Sequence, residues 1–232
     1  MITYPRALPA GDSGWTIEFG DAIEPALNAR TIAFARAVEA LRFPGVSDIV
    51  PTYRSATIYF DPLAVDPLPF RQRLLSLAET TTGTTAGAMR TVIIPVLYGW
   101  TEGPDLEELA ASAQLSIPEV IARHISVEYR VYMLGFSPGF PYMGVVPASI
   151  AAPRLAEPRP HVPAGSVGIA GSQTGIYPQD SPGGWRLIGR TPIRVYDPTH
   201  ARPFLFEPGD GVWFVEIDRR EFDRLSAQNK EA

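Results

Sequence analysis

The chain has 232 residues, 45% of them apolar, with a formal net charge of −5 and no cysteine. That length supplies one large domain or two small ones with cores of their own. The charge argues against nucleic acid or an anionic membrane as partner, and the missing cysteine removes disulfides, thiolate metal sites and cysteine nucleophiles together. No apolar run reaches the ~20 residues that span a bilayer, and the first ten residues lack the basic-then-apolar pattern of a secretory signal. A soluble cytoplasmic protein is expected. Lys230 is the only lysine, so an anion in the folded body would be held by arginine, backbone N–H groups or hydroxyls.

In chain order, Trp15 to Phe19 alternates like a short strand. Ile23–Glu24–Pro25 suits a helix start, and Leu27, Thr31, Phe34, Val38 and Leu41 recur at helical spacing until Pro44–Gly45 stops them. Val46 to Tyr53 and Ala56 to Phe60 read as two tightly joined strands. Pro67 opens a second helix with Phe70, Leu74 and Leu77 on one stripe. Counting a strand at Thr91 to Leu97, the order is β-α-β-β-α-β, which is the ferredoxin-like arrangement. Thr80 to Gly87 has no periodicity and is the expected linker, which places an α/β domain at 1–86.

Asp105 to Ala113 and Ile117 to His124 read as short helices, the second entered through Ser116 and Pro118. Helical periodicity then ends. Short apolar runs at Val127–Leu134, Val167–Ala170, Trp185–Ile188, Ile193–Val195 and Gly211–Ile217 lie between Gly/Pro clusters. Such punctuation predicts a closed or nearly closed β-barrel, here over 87–225, followed by a frayed polar tail at 226–232. The fold class expected is therefore α+β.

Gly135–Phe136–Ser137–Pro138–Gly139 matches the letters of a nucleophile elbow, but the residue after the serine must donate its N–H to the oxyanion. Pro138 has none. The same segment reads better as a rigid aromatic loop in which Phe136, Phe140 and Tyr142 wall a pocket or an interface. The glycine run from Gly165 and Ser166 to Gly175 lacks the lysine and the following helix of a phosphate loop. Its Gln173 and Thr174 offer neutral hydrogen bonds to an amide or carboxylate. Ser181–Pro182–Gly183–Gly184–Trp185 is a stiff turn into a strand, and Arg186, Arg190 and Arg194 share strand parity there. One of the three is expected to hold a carboxylate. His124, His161 and His200 show no metal-ligand spacing, and no metal is expected. His161, between Pro160 and Pro163, is a candidate general acid/base.

Three stretches carry a resemblance: His124 through Gly144, Pro163 through Tyr177, and Ser181 through Pro192. Shorter matches occur at Pro9–Asp12, Glu18–Gly20 and Pro51–Ser55. Together they cover nearly the whole chain. The chain resembles the family that holds the B-type subunit of 5-oxoprolinase (PxpB), allophanate hydrolase subunit 1 and KipI. Val145–Val146 and His161 depart from residues common in that family. The resemblance implies a C-terminal cyclophilin-like barrel and an obligate C-type partner (allophanate hydrolase subunit 2, PxpC-like) with a related barrel, and it leaves room for a PxpA-like third subunit. It also implies a site at or near the meeting of the two barrels. The implied activity is ATP-dependent opening of 5-oxoproline to glutamate by the assembled enzyme, with ATP bound at no site identifiable in this chain. Allophanate hydrolysis is the alternative chemistry, and KipI-like inhibition of a sporulation histidine kinase is the alternative class. On this reading His124 and His161 are the catalytic candidates. Phe140, Tyr142, Gly165, Ser166, Gln173, Thr174, Tyr177, Ser181, Trp185 and Arg186 are the binding candidates.

Overall fold

The structure is a computed structural model that describes residues 2–83 and 90–231. The chain divides into two compact units, Met1–Gly87 and Ala88–Ala232. The last four residues of the expected linker Thr80–Gly87 lie outside the described residues.

The first unit is one antiparallel sheet with two helices. β1 (Arg6–Pro9), β2 (Gly14–Glu18), β3 (Val46–Pro51) and β4 (Ser55–Phe60) lie in the order β1-β2-β4-β3. α1 (Pro25–Leu41) starts on Pro25, whose fixed φ suits a first helical position. It ends where Arg42 turns left-handed at φ 45°. α2 (Pro67–Thr80) is capped by Asp66, which accepts from Leu68 N. Ile17, Phe34, Val38, Ile58, Phe60, Phe70 and Leu74 meet between sheet and helices.

The fourth strand of this sheet is not the expected Thr91–Leu97. It is β1, a segment without a strand signal of its own. β1 closes the edge by pairing Arg6 with Glu18 and Pro9 with Trp15. Pro5 before it and Pro9 at its end suppress the alternation that marks a strand.

β5 (Thr91–Tyr98) belongs to the second unit, where it runs parallel to β13 (Gly211–Glu216) and antiparallel to β12 (Arg186–Arg190). With β6 (Tyr129–Leu134), β7 (Pro141–Gly144), β9 (Ser166–Ala170) and β10 (Gln173–Ile176), these strands close a seven-stranded barrel in the order β10-β7-β6-β13-β5-β12-β9. α3 (Leu106–Ala113) and α4 (Ile117–His124) pack at one end. The Ser116–Glu119 capping box opens α4, with Ser116 N donating to Glu119 Oε2 at 2.8 Å. Outside the barrel, β8 (Arg159–Val162) and β11 (Ser181–Gly183) form a separate two-stranded flap.

Two further expectations change. Ile193–Val195 is not a strand. Pro192 removes a donor, Ile193 N turns back to Thr191 Oγ1, and pairing survives only as the isolated Tyr196–Phe204 bridge. The C-terminal segment is α5 (Arg219–Glu231), helical past Ser226. It is held by the buried Phe222, by Arg219 gripping Glu102 with both terminal nitrogens, and by Asn229 Nδ2 donating to Pro192 O.

The barrel interior is apolar except for one network. His124, 0% exposed at the end of α4, donates from Nε2 to Thr174 Oγ1 (3.1 Å). Thr174 in turn donates to Gly168 O (3.0 Å), and Nδ1 accepts from Tyr98 OH (2.8 Å). Thr174's hydroxyl proton is spent on the carbonyl, so the imidazole must carry its own proton on Nε2. The ring also packs on Phe214 and Tyr129 at centroid distances of 4.6 and 5.2 Å. Burial pushes the His124 pKa down to about 3. A second buried pair lies at the barrel wall. Asp105, 5% exposed, accepts from Leu187 N (2.6 Å) and from Arg159 Nη2 (2.5 Å), tying α3, β12 and the flap together.

Two outcomes follow for stability. The unfolded His124 titrates near 6.5 and the folded one near 3, so the unfolded state binds the extra proton between them. Its stabilising contribution is whole above about pH 6.5 and falls by about 1.4 kcal/mol per pH unit as the solution is acidified. Chemical denaturation between pH 7 and 5, above the carboxylate range, should show that slope, and His124→Gln should flatten it; an unchanged slope contradicts the assignment. Asp105→Ala leaves a buried N–H and a guanidinium unpaired and should cost about 2–4 kcal/mol in the same measurement.

Candidate functional site

On the outer side of the barrel wall, β7, β9, β12 and the flap converge on a second apolar cluster of Phe140, Val162, Ala170, Tyr177, Trp185 and Leu187, with Tyr142 packed against it. Phe140 is its centre. Tyr142, Tyr177, Trp185 and Phe136 stand edge-on to it at 4.9, 5.2, 5.3 and 5.6 Å between centroids. Edge-to-face pairs of this kind each add about 1 kcal/mol beyond their burial.

Two glycines make the arrangement possible. A Cβ on Gly175 would stand 2.9 Å from Phe140 Cζ, and one on Gly183 would run into the Tyr177 ring. Phe136 is held at φ 64° and remains 64% exposed, so its ring stands at the rim.

These residues line a cavity of about 370 Å³. Its walls are Phe136, Phe140, Tyr142, Tyr177 and Trp185, its flap side is Pro158 and Pro182–Gly184, and its one charged lining residue is Arg154. Burial raises the pKa of both tyrosines; the charge of Arg154 partly offsets it at Tyr142, and the Trp185 backbone hydrogen bond followed by Arg154 does so at Tyr177. The phenols therefore stay protonated and serve as hydroxyl donors and acceptors.

Of the residues expected from sequence, Phe140, Tyr142, Tyr177 and Trp185 come together here, and Ser181 adjoins the lining at Pro182. The others do not line this cavity. Arg186 is turned aside: its Nε donates to Pro153 O (3.2 Å), and its Nη1 lies 2.9 Å from Glu108 Oε1 without hydrogen-bond alignment. Gly165 bonds Tyr177 O and Thr191 N through its backbone, where any side chain would strike Thr191 O. Ser166 is buried in β9, and Gln173 pairs with Gly144 and Ala170 in β10.

Thr174 and His124 are inside the barrel. With both ring nitrogens engaged and no solvent contact, His124 is a core residue and has no access to a ligand in this cavity. His161 has a side chain 63% exposed and pairs with Asp180 (3.0 Å), whose other oxygen takes Ala164 N–H. Those two hydrogen bonds, the backbone one first, lower the Asp180 pKa.

Ser137 sits in a strand-to-strand loop, not before a helix, as Pro138 already implied. Among the described residues no three His, Asp or Glu side chains gather as a metal-ligand set, and no helix is long and apolar enough to cross a membrane. The residue that sequence reasoning missed is Arg154. It lies in Ala151–Ala152–Pro153–Arg154, outside all three signature stretches, with nothing local to distinguish it from a surface arginine.

Residues 5–206 match the family model of the carboxyltransferase domain, subdomain C and D. The chain is 44% identical over 227 residues to the B subunit of 5-oxoprolinase from Bacillus subtilis (strain 168), covering 91% of this chain and 92% of that protein. Among solved structures, TTHA0988 superposes with a TM-score of 0.78 at 42% identity, over 88% of this chain and 40% of the longer one. Kluyveromyces lactis urea carboxylase shares the fold, with a TM-score of 0.80 at 20% identity over 96% of this chain and 22% of that one. With its signatures, its barrel and near end-to-end identity all in agreement, the chain belongs to the carboxyltransferase-domain C/D family in which the B subunits of 5-oxoprolinase are found.

Proposed function

We propose that this protein is the B subunit of a multi-subunit, ATP-dependent 5-oxoprolinase. In that reaction water adds to the lactam carbonyl, the ring C–N bond breaks, and glutamate leaves. The observation that carries the reading is the reach of the 44% identity, 91% of this chain and 92% of the Bacillus subtilis relative. The likeness to the urea amidolyase of Lachancea kluyveri, by contrast, is 41% identical but confined to 27% of this chain and 4% of that protein. This difference favours 5-oxoproline over allophanate.

The aromatic cavity is the proposed seat of the lactam. A small lactam ring suits a cavity lined by Phe136, Tyr142 and Trp185, and the Tyr142 and Tyr177 hydroxyls suit an amide. The histidine candidates do not supply the base here: His124 is enclosed, and His161 lies on the flap with Asp180. Proton transfer is therefore assigned to groups brought by a partner. The glycine run folds as β9, its turn and β10, with no helix after it whose N-terminus could cradle phosphates. ATP is accordingly assigned to the assembly, with a C-type subunit and a PxpA-like subunit as partners, and the isolated chain is expected to be inactive.

The same reading takes the second unit as a cyclophilin-like barrel. The first is taken as a ferredoxin-like variant whose edge strand is supplied by the N-terminus. The protein is placed in the cytoplasm, where 5-oxoproline and ATP meet.

Co-expression with the C-type and PxpA-like subunits should give ATP-dependent release of glutamate from 5-oxoproline. A folded assembly that releases none, or that consumes allophanate instead, contradicts the proposal. In that assembly Gly183→Ala should displace Tyr177 and lower kcat/KM of the order of tenfold with the barrel intact, as read by steady-state kinetics beside far-UV circular dichroism.

A further inference from the structure

We propose that Arg154 is the carboxylate anchor of the aromatic cavity, and that Arg186 with Glu108 is the pair that positions it. The naming of 5-oxoproline as ligand rests on the function proposed above; the anchoring itself rests on geometry.

Arg154 has neither a hydrogen bond nor an ion pair with any described residue. Two nearby arginines are otherwise committed: Arg159 is paired with Asp105, and Arg186 leans on Glu108. An exposed arginine without a partner is ordinary. One set against five aromatic rings is not, because their low-polarity walls strengthen its attraction for an anion and leave water less able to compete. A ligand that suits both features is a flat ring carrying one carboxylate. The guanidinium would take the carboxylate in a two-pronged contact, and the rings would take the flat body.

The backbone around Arg154 is fixed on both sides. Gly171 N donates to Ala152 O (2.7 Å), Leu155 N donates to Gly184 O (2.8 Å), and Pro153 O receives Arg186 Nε (3.2 Å). Ala152, Pro153 and Leu155 are thereby stitched to the β9–β10 turn, to the Gly184–Trp185 turn and to β12. The segment carrying Arg154 is thus ordered before a ligand arrives, which lowers the entropy cost of binding. Arg186, one of the three arginines that share strand parity and the one among the binding candidates, has its Nε engaged on this segment and its Nη1 beside Glu108. It is a positioning residue and does not touch the ligand.

The test compares ligands that differ only in the carboxylate, by calorimetry on the assembled enzyme. One pair is 5-oxoproline and 2-pyrrolidinone. The other is 2-furoate and furan-2-carboxamide, which asks the same question without the hydrolase reading. The wild-type assembly should prefer the acid in both pairs by roughly 10- to 100-fold, the worth of a charged hydrogen-bonded contact. Arg154→Gln should bring each pair to near equality, and Arg154→Lys should recover part of the preference. Arg186→Gln should narrow the acid preference, because a merely structural loss would weaken both members of a pair alike.

A full acid preference in Arg154→Gln overturns the proposal, as does a wild type with no preference in either pair. Equal weakening of both members in Arg186→Gln overturns the positioning role alone. A preference confined to furoate, lost in Arg154→Gln, upholds the anchor while the 5-oxoproline assignment fails.

Discussion

The site depends on two places where a side chain is missing. Phe140 can occupy the centre of the outer aromatic cluster because residue 175 has no Cβ, and Tyr177 can lie flat under the flap because residue 183 has none. Fill residue 175 and Phe140 must move with all four of its edge-on contacts; fill residue 183 and Tyr177 must move, with the contact it makes to Phe140. The cavity is thus shaped from outside by glycine and proline, while the aromatic rings supply its surface. Stiff Gly/Pro segments at 135–141 and 181–184 lose little entropy on binding, which suits a pocket that must be preformed.

Polar groups are treated differently on the two sides of the barrel wall. Inside, the single buried network is complete: the Tyr98 hydroxyl, both nitrogens of His124 and the Thr174 hydroxyl each have a partner, and the chain ends on Gly168 O. Such closure stabilises and specifies the barrel, and it makes the histidine inert. Outside, polar atoms are left over. Ser137 Oγ, Arg159 Nη1 and Ser181 Oγ are buried without hydrogen bonds, and each belongs to a residue at or beside the lining of the cavity. Arg186 Nη1 and Asp210 Oδ1 are buried without a hydrogen bond as well, so unmet polar atoms gather at the cavity without being confined to it.

Much of this is readable in the sequence. α1 and α2 announce themselves through helical spacing and a proline start. The aromatic loop and the Trp185 turn announce themselves because glycines and prolines leave so few other readings. Four of the residues singled out, Phe140, Tyr142, Tyr177 and Trp185, do meet in one cavity. What escapes is whatever depends on contacts far apart in the chain. β1 is a strand only because β2 is there to pair with it, and α5 is held by Glu102 and Pro192, 117 and 37 residues away in sequence. His124 looks like chemistry because its motif is unusual, yet its surroundings are Phe214, Tyr129 and Tyr98. Arg186 and Arg154 are indistinguishable as letters. Only the fold shows that one is committed to Pro153 and Glu108 while the other faces the rings.

The most direct measurement is the crystal structure of the assembled enzyme with 5-oxoproline bound. The ring should lie in the aromatic cavity, with its carboxylate at ~3 Å from the Arg154 guanidinium. A ligand seated elsewhere with the aromatic cavity empty, for example in the groove between Gly165, Arg190 and α5, would contradict it.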